Sequence, residues 1–247
     1  MGLEDRIFVF GDIHGCVDEL KLLFSYLILY KKLSKEDKLC FIGDYIDRGL
    51  YTRETIDALI QIKETFPKAR FLKGNHEAML LDYLGIEAFP NTFVYLKNSV
   101  GGQNTLRSYG IINIPFDKRK GKECLPFFPE PHLEFLTSLD NYKKTENYIF
   151  VHAGVNPLIA DMRLQNPNEM MRMKGSSLKT PHLFPQVVVH GHEAVTEAVF
   201  NVKTRMINID TDVVHGGKLT CLELPSMDIY QIGLNSSEIM VDKLVHV

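Results

Sequence analysis

Five times along this chain a short apolar run gives way, within a few residues, to glycine and a side chain able to bind a metal. Arg6 to Phe10 leads into G-D-I-H-G, with Asp12 and His14. Leu39 to Ile42 leads into G-D-Y-I-D-R-G, with Asp44, Asp47 and Arg48. Ala69 to Leu72 leads into G-N-H-E, with Asn75 and His76. Tyr148 to Val151 ends in H-A-G, with His152, and Val187 to Val189 in H-G-H, with His190 and His192. Short apolar runs bounded in this way read as buried strands. In sheets covered by helices, ligands gather beyond the carboxyl ends of the strands. A lone histidine at a strand end is usually structural, but five such ends in series specify one site.

The intervals supply the helices. Leu20, Leu23, Phe24, Leu27 and Ile28 keep a helical period, and Asp18 and Glu19 suit its positive N-terminal end. Thr52 is placed to cap a second helix that buries Ile56, Leu59 and Ile60 before Pro67. Glu77 to Leu84 predicts a third, closed by Gly85. Beyond it, Pro90, Pro115, Pro126, Pro129 and Pro131 break the pattern, and Gly101-Gly102 marks a turn. His132 to Leu139 is the one helix expected there. We read 85–145 as a partly irregular insertion or cap near the site, within a single domain spanning 1–247. After Val199, the runs Met206 to Ile209, Leu219 to Leu224 and Ile229 to Ile232 predict antiparallel hairpins forming a second sheet.

Several function classes drop out on composition. With 45% hydrophobic and 24% charged residues the chain can build an ordinary globular core. A formal net charge of -3 and the lack of a dense basic run argue against nucleic acid as a partner. Leu20 to Tyr30 is too short, and too interrupted by Ser25, to span a bilayer. The first residues, M-G-L-E-D-R, carry no signal-peptide pattern, and Arg6 breaks the myristoylation pattern. Cys16, Cys40, Cys124 and Cys221 are scattered and read as reduced thiols of a cytoplasmic protein, Cys16 as packing.

The donor set is oxygen and imidazole without thiolate, which suits a hard or borderline divalent ion and not a structural zinc cluster. There are more donors than one ion needs. A carboxylate such as Asp44 can bridge two cations about 3.5–4 Å apart, an arrangement that acidifies a water and neutralises phosphoryl oxygens. Arg48 adds a planar fork for phosphate. His76 and Asp47 are then the spare imidazole and the spare carboxylate, and such a pair favours the imidazolium that a general acid needs.

Taken together, G-D-I-H-G, G-D-Y-I-D-R-G, G-N-H-E, H-A-G and G-H resemble, in order and spacing, the calcineurin-like metallophosphoesterases. The D-R-G and N-H-E forms look like the phosphoprotein phosphatase branch, and G-G-Q-N-T-L-R-S-Y-G (Gly101 to Gly110) and I-N-I-D-T (Ile207 to Thr211) look like segments of its bacterial members. The resemblance implies an α/β fold of two packed mixed sheets flanked by helices. It implies two divalent ions, manganese being the expected species with iron or zinc also compatible. Asp12 and His14 would hold the first, Asp44 would bridge, and Asn75, His152 and His192 would hold the second. Asn75 and Arg48 would also bind phosphate, and His76, oriented by Asp47, would protonate the leaving alkoxide. The second phosphate-binding arginine usual in the family is missing. Lys174 aligns at its place within E-M-M-R-M-K-G-S-S, with Arg172 as the alternative.

The expected activity is hydrolysis of phosphomonoesters in a phosphorylated protein or peptide, or in a small phosphoester. Phosphoserine and phosphothreonine are the first candidates, with phosphotyrosine also admissible. The alternative is a dinucleoside polyphosphate hydrolase of the diadenosine tetraphosphate kind. Members that act symmetrically on that substrate tend to lose the D-R-G aspartate and carry N-H-D, whereas this chain keeps Asp47 and Glu77. Intact His76, Asp47 and Arg48 argue against a silent metal-binding scaffold.

Overall fold

The computed structural model describes residues 6–90 and 94–247. The sequence reading of Met1 to Asp5 therefore lies outside the described residues. Among the described residues, twelve strands form two six-stranded mixed sheets. The first is built on β1 (Ile7–Phe10), β2 (Lys38–Phe41) and β3 (Arg70–Phe71), which run parallel. The second is built on β4 (Tyr142–Lys144), β5 (Tyr148–Val151) and β6 (Val187–His190), with β5 and β6 parallel. The C-terminal strands are shared out between them. β7 (Val199–Asn201) and β8 (Met206–Asn208) extend the second sheet from β6. β9 (Lys218–Leu224) extends the first sheet antiparallel to β1, β10 (Asp228–Gly233) and β11 (Ile239–Lys243) follow it, each antiparallel to the strand before, and β12 (Val245–His246) returns to the second beside β7.

This differs from the expected separate sheet of C-terminal hairpins. Period-two alternation identifies a strand but not the sheet it joins, and here β9 pairs with β1 instead. The alternation does fix the layers. Phe8 and Phe10 face helix α1 (Val17–Tyr30) and join Leu20, Leu23 and Leu27, while Ile7 and Val9 face the second sheet and join Phe150, Val189 and Ile207. The outer face of the second sheet, Ile149, Val151, Val188 and Met206, is covered by Met162, Met170 and Phe184 of the 156–185 connection.

The helices depart from expectation in detail. Ile28 is on the exposed side of α1. In α2 (Thr52–Thr65), Ile62 is buried with Ile56 and Leu59, and Ile60 is only half-buried. Thr52 makes no cap; its Oγ1 lies 3.2 Å from Thr105 Oγ1. α3 (Asn75–Tyr83) starts two residues earlier than expected, which puts Asn75 and His76 in its first turn. α4 (Gly102–Ser108) forms where only a turn was expected, and α5 (Glu130–Thr137) covers the anticipated helix near His132. A short α6 (Pro167–Met170) lies in the 156–185 connection. Among the described residues no helix is long and apolar enough to cross a membrane.

Candidate active site

The loops after β1, β2, β3, β5 and β6 converge, and the β2–α2 loop is their hub. Its Asp44 carbonyl accepts the N–H groups of Ile13 (3.0 Å) and His14 (2.9 Å), and its Tyr45 carbonyl accepts that of Gly15 (2.8 Å). Two of its carbonyls also orient imidazoles: His14 Nδ1 lies 2.7 Å from Ile46 O, and His152 Nδ1 lies 2.9 Å from Ile42 O. As neutral imidazoles both rings then carry their proton on Nδ1 and present Nε2 to the centre.

Glu77 fixes the hub. Its buried carboxylate accepts backbone N–H groups from Asp44 (2.9 Å), Gly74 (2.9 Å), Tyr45 (2.8 Å) and Ile46 (3.3 Å). Burial, and next the Asp44 charge, push its pKa up to about 7, against the pull of nearby imidazoles and the Tyr45 N–H. The close fit needs glycine: a Cβ on Gly74 would run into Asp44, and one on Gly191 would run into the Asp12 carboxylate. His14, Asp44, Asp47, Arg48 and His192 all sit at positive φ, between 47° and 69°. Non-glycine residues occupy that region only where surrounding contacts over-determine it.

Two donor groups meet at Asp44. One is His14, Asp44 and His76; the other is Asp44, His152 and His192; within each, the ligand atoms lie within 4.8 Å of one another. On the second side, His152 Nε2 has Asn75 Oδ1 at 3.1 Å, Asp44 Oδ2 at 3.3 Å and His192 Nδ1 at 3.3 Å. So many acceptors facing one another with so few protons between them is the signature of a cation site. His192 Nε2 is buried without a partner, as is Arg48 Nε. This donor set fits divalent cations, with Asp44 able to serve both sides.

The charges agree. Burial works against the Asp44 carboxylate, but His152, His76 and His14 outweigh it and hold its pKa well below the ordinary carboxylate value. Burial also opposes charge on His152, yet Asp44 raises it to about 10. Burial and then His152 push His192 down to about 2, and burial with His76 and Arg48 pushes His14 well below its ordinary value. Burial, followed by the nearby Asp210, raises Asp12 well above the usual range. Asp12 belongs to neither tight donor group; its carboxylate accepts the His192 N–H at 3.2 Å.

His76 is held on three sides. Its Nδ1 lies 2.7 Å from Asp47 Oδ2, its N–H reaches Asp44 Oδ1 at 3.1 Å, and its Nε2 is 3.3 Å from Arg48 Nη2. Burial lowers its pKa, but Asp44 and Asp47 prevail and raise it. Arg48 Nη1 also donates to His14 Nε2 at 2.8 Å, so the guanidinium stands between the two imidazoles.

The other two cations part company. Lys174 is exposed and close enough to His192 to help lower its pKa. Arg172 donates to Pro90 O at 2.8 Å and lies over the Phe89 ring, 5.3 Å from its centroid. Both border a cavity of about 500 Å³ with Leu158 and Met173. Sequence reasoning missed three contributors. Glu77 served only as a branch marker, and Tyr95 and Thr105, which bond Asp47, were not singled out. The one available signal was the placement of Thr105 within the G-G-Q-N-T stretch.

Residues 5–196 match the family model of the calcineurin-like phosphoesterases. The chain belongs to that family. It is 26% identical, over 92% of both chains, to the asymmetrical bis(5'-nucleosyl)-tetraphosphatase PrpE of Oceanobacillus iheyensis. It is 38% identical over 32% of its length to the serine/threonine-protein phosphatase PP2A-like PPG1 of Candida albicans, and spans 18% of that protein. The fold of this phosphoesterase also matches solved structures. One, described as a candidate diadenosine tetraphosphatase, aligns with a TM-score of 0.63 at 21% identity, over 95% of this chain and 96% of the other. The cold-active protein-tyrosine phosphatase of a psychrophilic Shewanella aligns with a TM-score of 0.59 at 16% identity, over 96% and 80%.

Proposed function

We propose that this phosphoester hydrolase is a two-metal phosphomonoesterase acting on phosphoserine or phosphothreonine in proteins or peptides, with phosphotyrosine admissible. The observation that carries the reading is the His76–Asp47 pair, 2.7 Å apart beside a carboxylate common to two donor groups. A serine or threonine alkoxide is a poor leaving group and needs a proton as it departs; a nucleotide released from an anhydride needs none. An oriented, charged imidazole is therefore of most use to an ester.

In this reading Asp12, His14 and Asp44 would hold one cation, and Asp44, Asn75, His152 and His192 the other. When bound, such cations supply Lewis acidity, lowering the pKa of water and offsetting phosphoryl charge. Manganese is the ion proposed. Arg48 grips two phosphoryl oxygens through its fork, and Asn75 adds an amide donor. Lys174 contributes a point charge from near His192, while Arg172 ties its own segment to Pro90 and Phe89. His76 donates its Nε2 proton to the departing oxygen, and Asp47 steadies the imidazolium through Nδ1. The 247 residues act as one domain, with 85–145 laid beside the site, and the proposed compartment is the cytoplasm.

A second reading has its own support. The relative that aligns over 92% of both chains is named a bis(5'-nucleosyl)-tetraphosphatase, so hydrolysis of a dinucleoside polyphosphate is the alternative. The manganese-loaded protein assayed on phosphopeptides and on diadenosine tetraphosphate decides between them. Preference for phosphopeptides, with His76→Asn lowering kcat about 10²–10⁴-fold, supports the first. Efficient cleavage of the tetraphosphate that is indifferent to His76→Asn supports the second and refutes the first.

A further inference from the structure

The pairing with His76 uses only one oxygen of Asp47. The other, Oδ1, accepts from Thr105 Oγ1 at 2.6 Å and from the Tyr95 hydroxyl at 3.0 Å. Thr105 Oγ1 also accepts the Asp47 backbone N–H at 2.9 Å. With its proton given to Asp47, that hydroxyl has lone pairs to offer, so the Thr52 hydroxyl 3.2 Å away donates to it. Asp47, Thr52, Thr105 and Tyr95 are fully buried, and each hydroxyl and carboxylate oxygen in the set is satisfied. A closed polar network of this kind specifies one geometry.

Neither Tyr95 nor Thr105 lies on a strand-end loop. Both come from 94–108, and the same stretch holds the next residue of the motif: Gly101 O accepts Arg48 N–H at 3.4 Å, and Asn104 Nδ2 donates to Arg48 O at 2.6 Å. Asp47 and Arg48 have φ of 69° and 63°, so this strained pair is gripped from outside the sheet scaffold. Tyr95 is in turn fixed against Tyr83, with ring centroids 5.3 Å apart, at the far end of the helix that begins with Asn75 and His76.

A carboxylate held by one hydrogen bond can rotate about Cβ–Cγ, because that torsion has a broad, two-fold profile. Two donors on the opposite oxygen remove the freedom. We propose that Tyr95 and Thr105 are positioning residues that set the carboxylate plane of Asp47 and so aim His76 Nε2 at the leaving-group oxygen. The inference rests on the reading of His76 as general acid. In that step the P–O bond breaks with its electron pair passing to the leaving oxygen, which takes the Nε2 proton. The attacking water's oxygen forms the new P–O bond and loses one proton to solvent, His76 regains one from solvent, and Asp47 stays a carboxylate throughout.

The test compares kcat and KM of the metal-loaded full chain on phenyl phosphate and p-nitrophenyl phosphate, whose leaving groups differ in their need for a proton. Tyr95→Phe removes one hydroxyl and little volume, Thr105→Val removes the hydroxyl at similar size, and Thr105→Ser restores it. Tyr95→Phe and Thr105→Val should lower kcat on phenyl phosphate about tenfold, the worth of one hydrogen bond to a charged group. The change on p-nitrophenyl phosphate should stay under about twofold, with KM and metal content unaltered, and Thr105→Ser should recover most of the loss. His76→Asn is run beside them. If it shows the leaving-group dependence while both other variants lose equally on the two esters, or lose nothing, the positioning role is overturned and the acid survives. If His76→Asn itself lacks the dependence, the acid reading falls and takes this inference with it. Should Thr105→Val fail to fold because it strands the Asp47 N–H, Tyr95→Phe, which strands nothing on the backbone, still decides.

Discussion

Glu77→Gln tests whether the site stands on a single buried carboxylate. The two Glu77 oxygens serve four backbone donors: Oε2 takes Asp44 N and Gly74 N, each at 2.9 Å, and Oε1 takes Tyr45 N at 2.8 Å and Ile46 N at 3.3 Å. A glutamine keeps one oxygen and points its NH₂ at the other pair. The longer bond to Ile46 makes that side the cheaper one to lose, so the amide should turn its nitrogen toward Tyr45 and Ile46. Two buried donors are then unsatisfied, at about 1–3 kcal/mol each. Removing a buried charge beside Asp44 offsets part of this, which leaves a net loss of about 2–4 kcal/mol. For a chain of this size that corresponds to a fall in Tm of roughly 4–16 °C. Glu77→Leu, which strands all four donors, should fall further. Thermal unfolding with and without manganese, together with metal content, makes the measurement. A Tm within about 1 °C of the parent, with metal retained, would show that the β2–α2 loop holds its shape without Glu77.

Asp44→Asn should weaken both cations together and abolish turnover; one ion at full occupancy with full activity would refute the shared role. Lys174→Ala should raise KM on every phosphoester and weaken inhibition by inorganic phosphate, whereas Arg172→Ala should act on stability through its Pro90 and Phe89 contacts. An unchanged phosphate inhibition constant in both variants would mean that this connection does not reach the substrate. Burial opposes the charge of Asp37, but Arg6 and Ser34 outweigh it and hold its pKa below the ordinary 3.8. That stability is present above pH 3.8 and lost as the pH falls through the lower folded value. The Tm gap between the parent and Asp37→Asn should therefore shrink only in that acid window. All four cysteines are free and buried, with Cys16 pushed up to about 12 by burial. They should resist a thiol reagent at pH 8 until the protein is unfolded.

The strand-end motifs were legible because their chemistry is local: a glycine with a carboxylate, an amide or an imidazole within a few residues of an apolar run states its purpose without the rest of the fold. The allocation of strands was not legible. β9 reads as one more alternating run, and nothing in Lys218 to Leu224 announces that Leu222 and Leu224 will face the second sheet from beside β1. α4 was hidden by Gly101-Gly102, which reads as punctuation. Here Gly101 takes φ 83° and the helix starts on the next glycine, stabilised by burying Thr105 and Leu106 and not by propensity. Thr52 had the sequence of a cap, but the Thr105 hydroxyl claims its Oγ1. Glu77 is the third residue of α3, where glutamate commonly reaches back to the N-cap, and its bond to Gly74 N is that contact; a reading that began the helix at Glu77 itself hid it. Its other three bonds are long-range and leave no local trace.

Those bonds explain why so much of the strained backbone can sit in one place. Residues 42–48 contribute Asp44, Asp47 and Arg48 in left-handed conformations, a combination that would relax if the loop were held only at its ends. It is held instead from four directions. Glu77 grips residues 44–46 from α3, and the Asp44 and Tyr45 carbonyls grip 13–15. His152 reaches across from the second sheet to Ile42 O, and Thr105 with Asn104 closes on 47 and 48. Two further carbonyls of the same loop, Ile46 O and Ile42 O, set the Nδ1 tautomers of His14 and His152. The loop's shape and the basicity of two donor nitrogens are therefore one constraint. A substitution that lets residues 42–46 relax should then misplace both imidazoles at once, and the two cation sites should weaken together even when the altered residue touches neither.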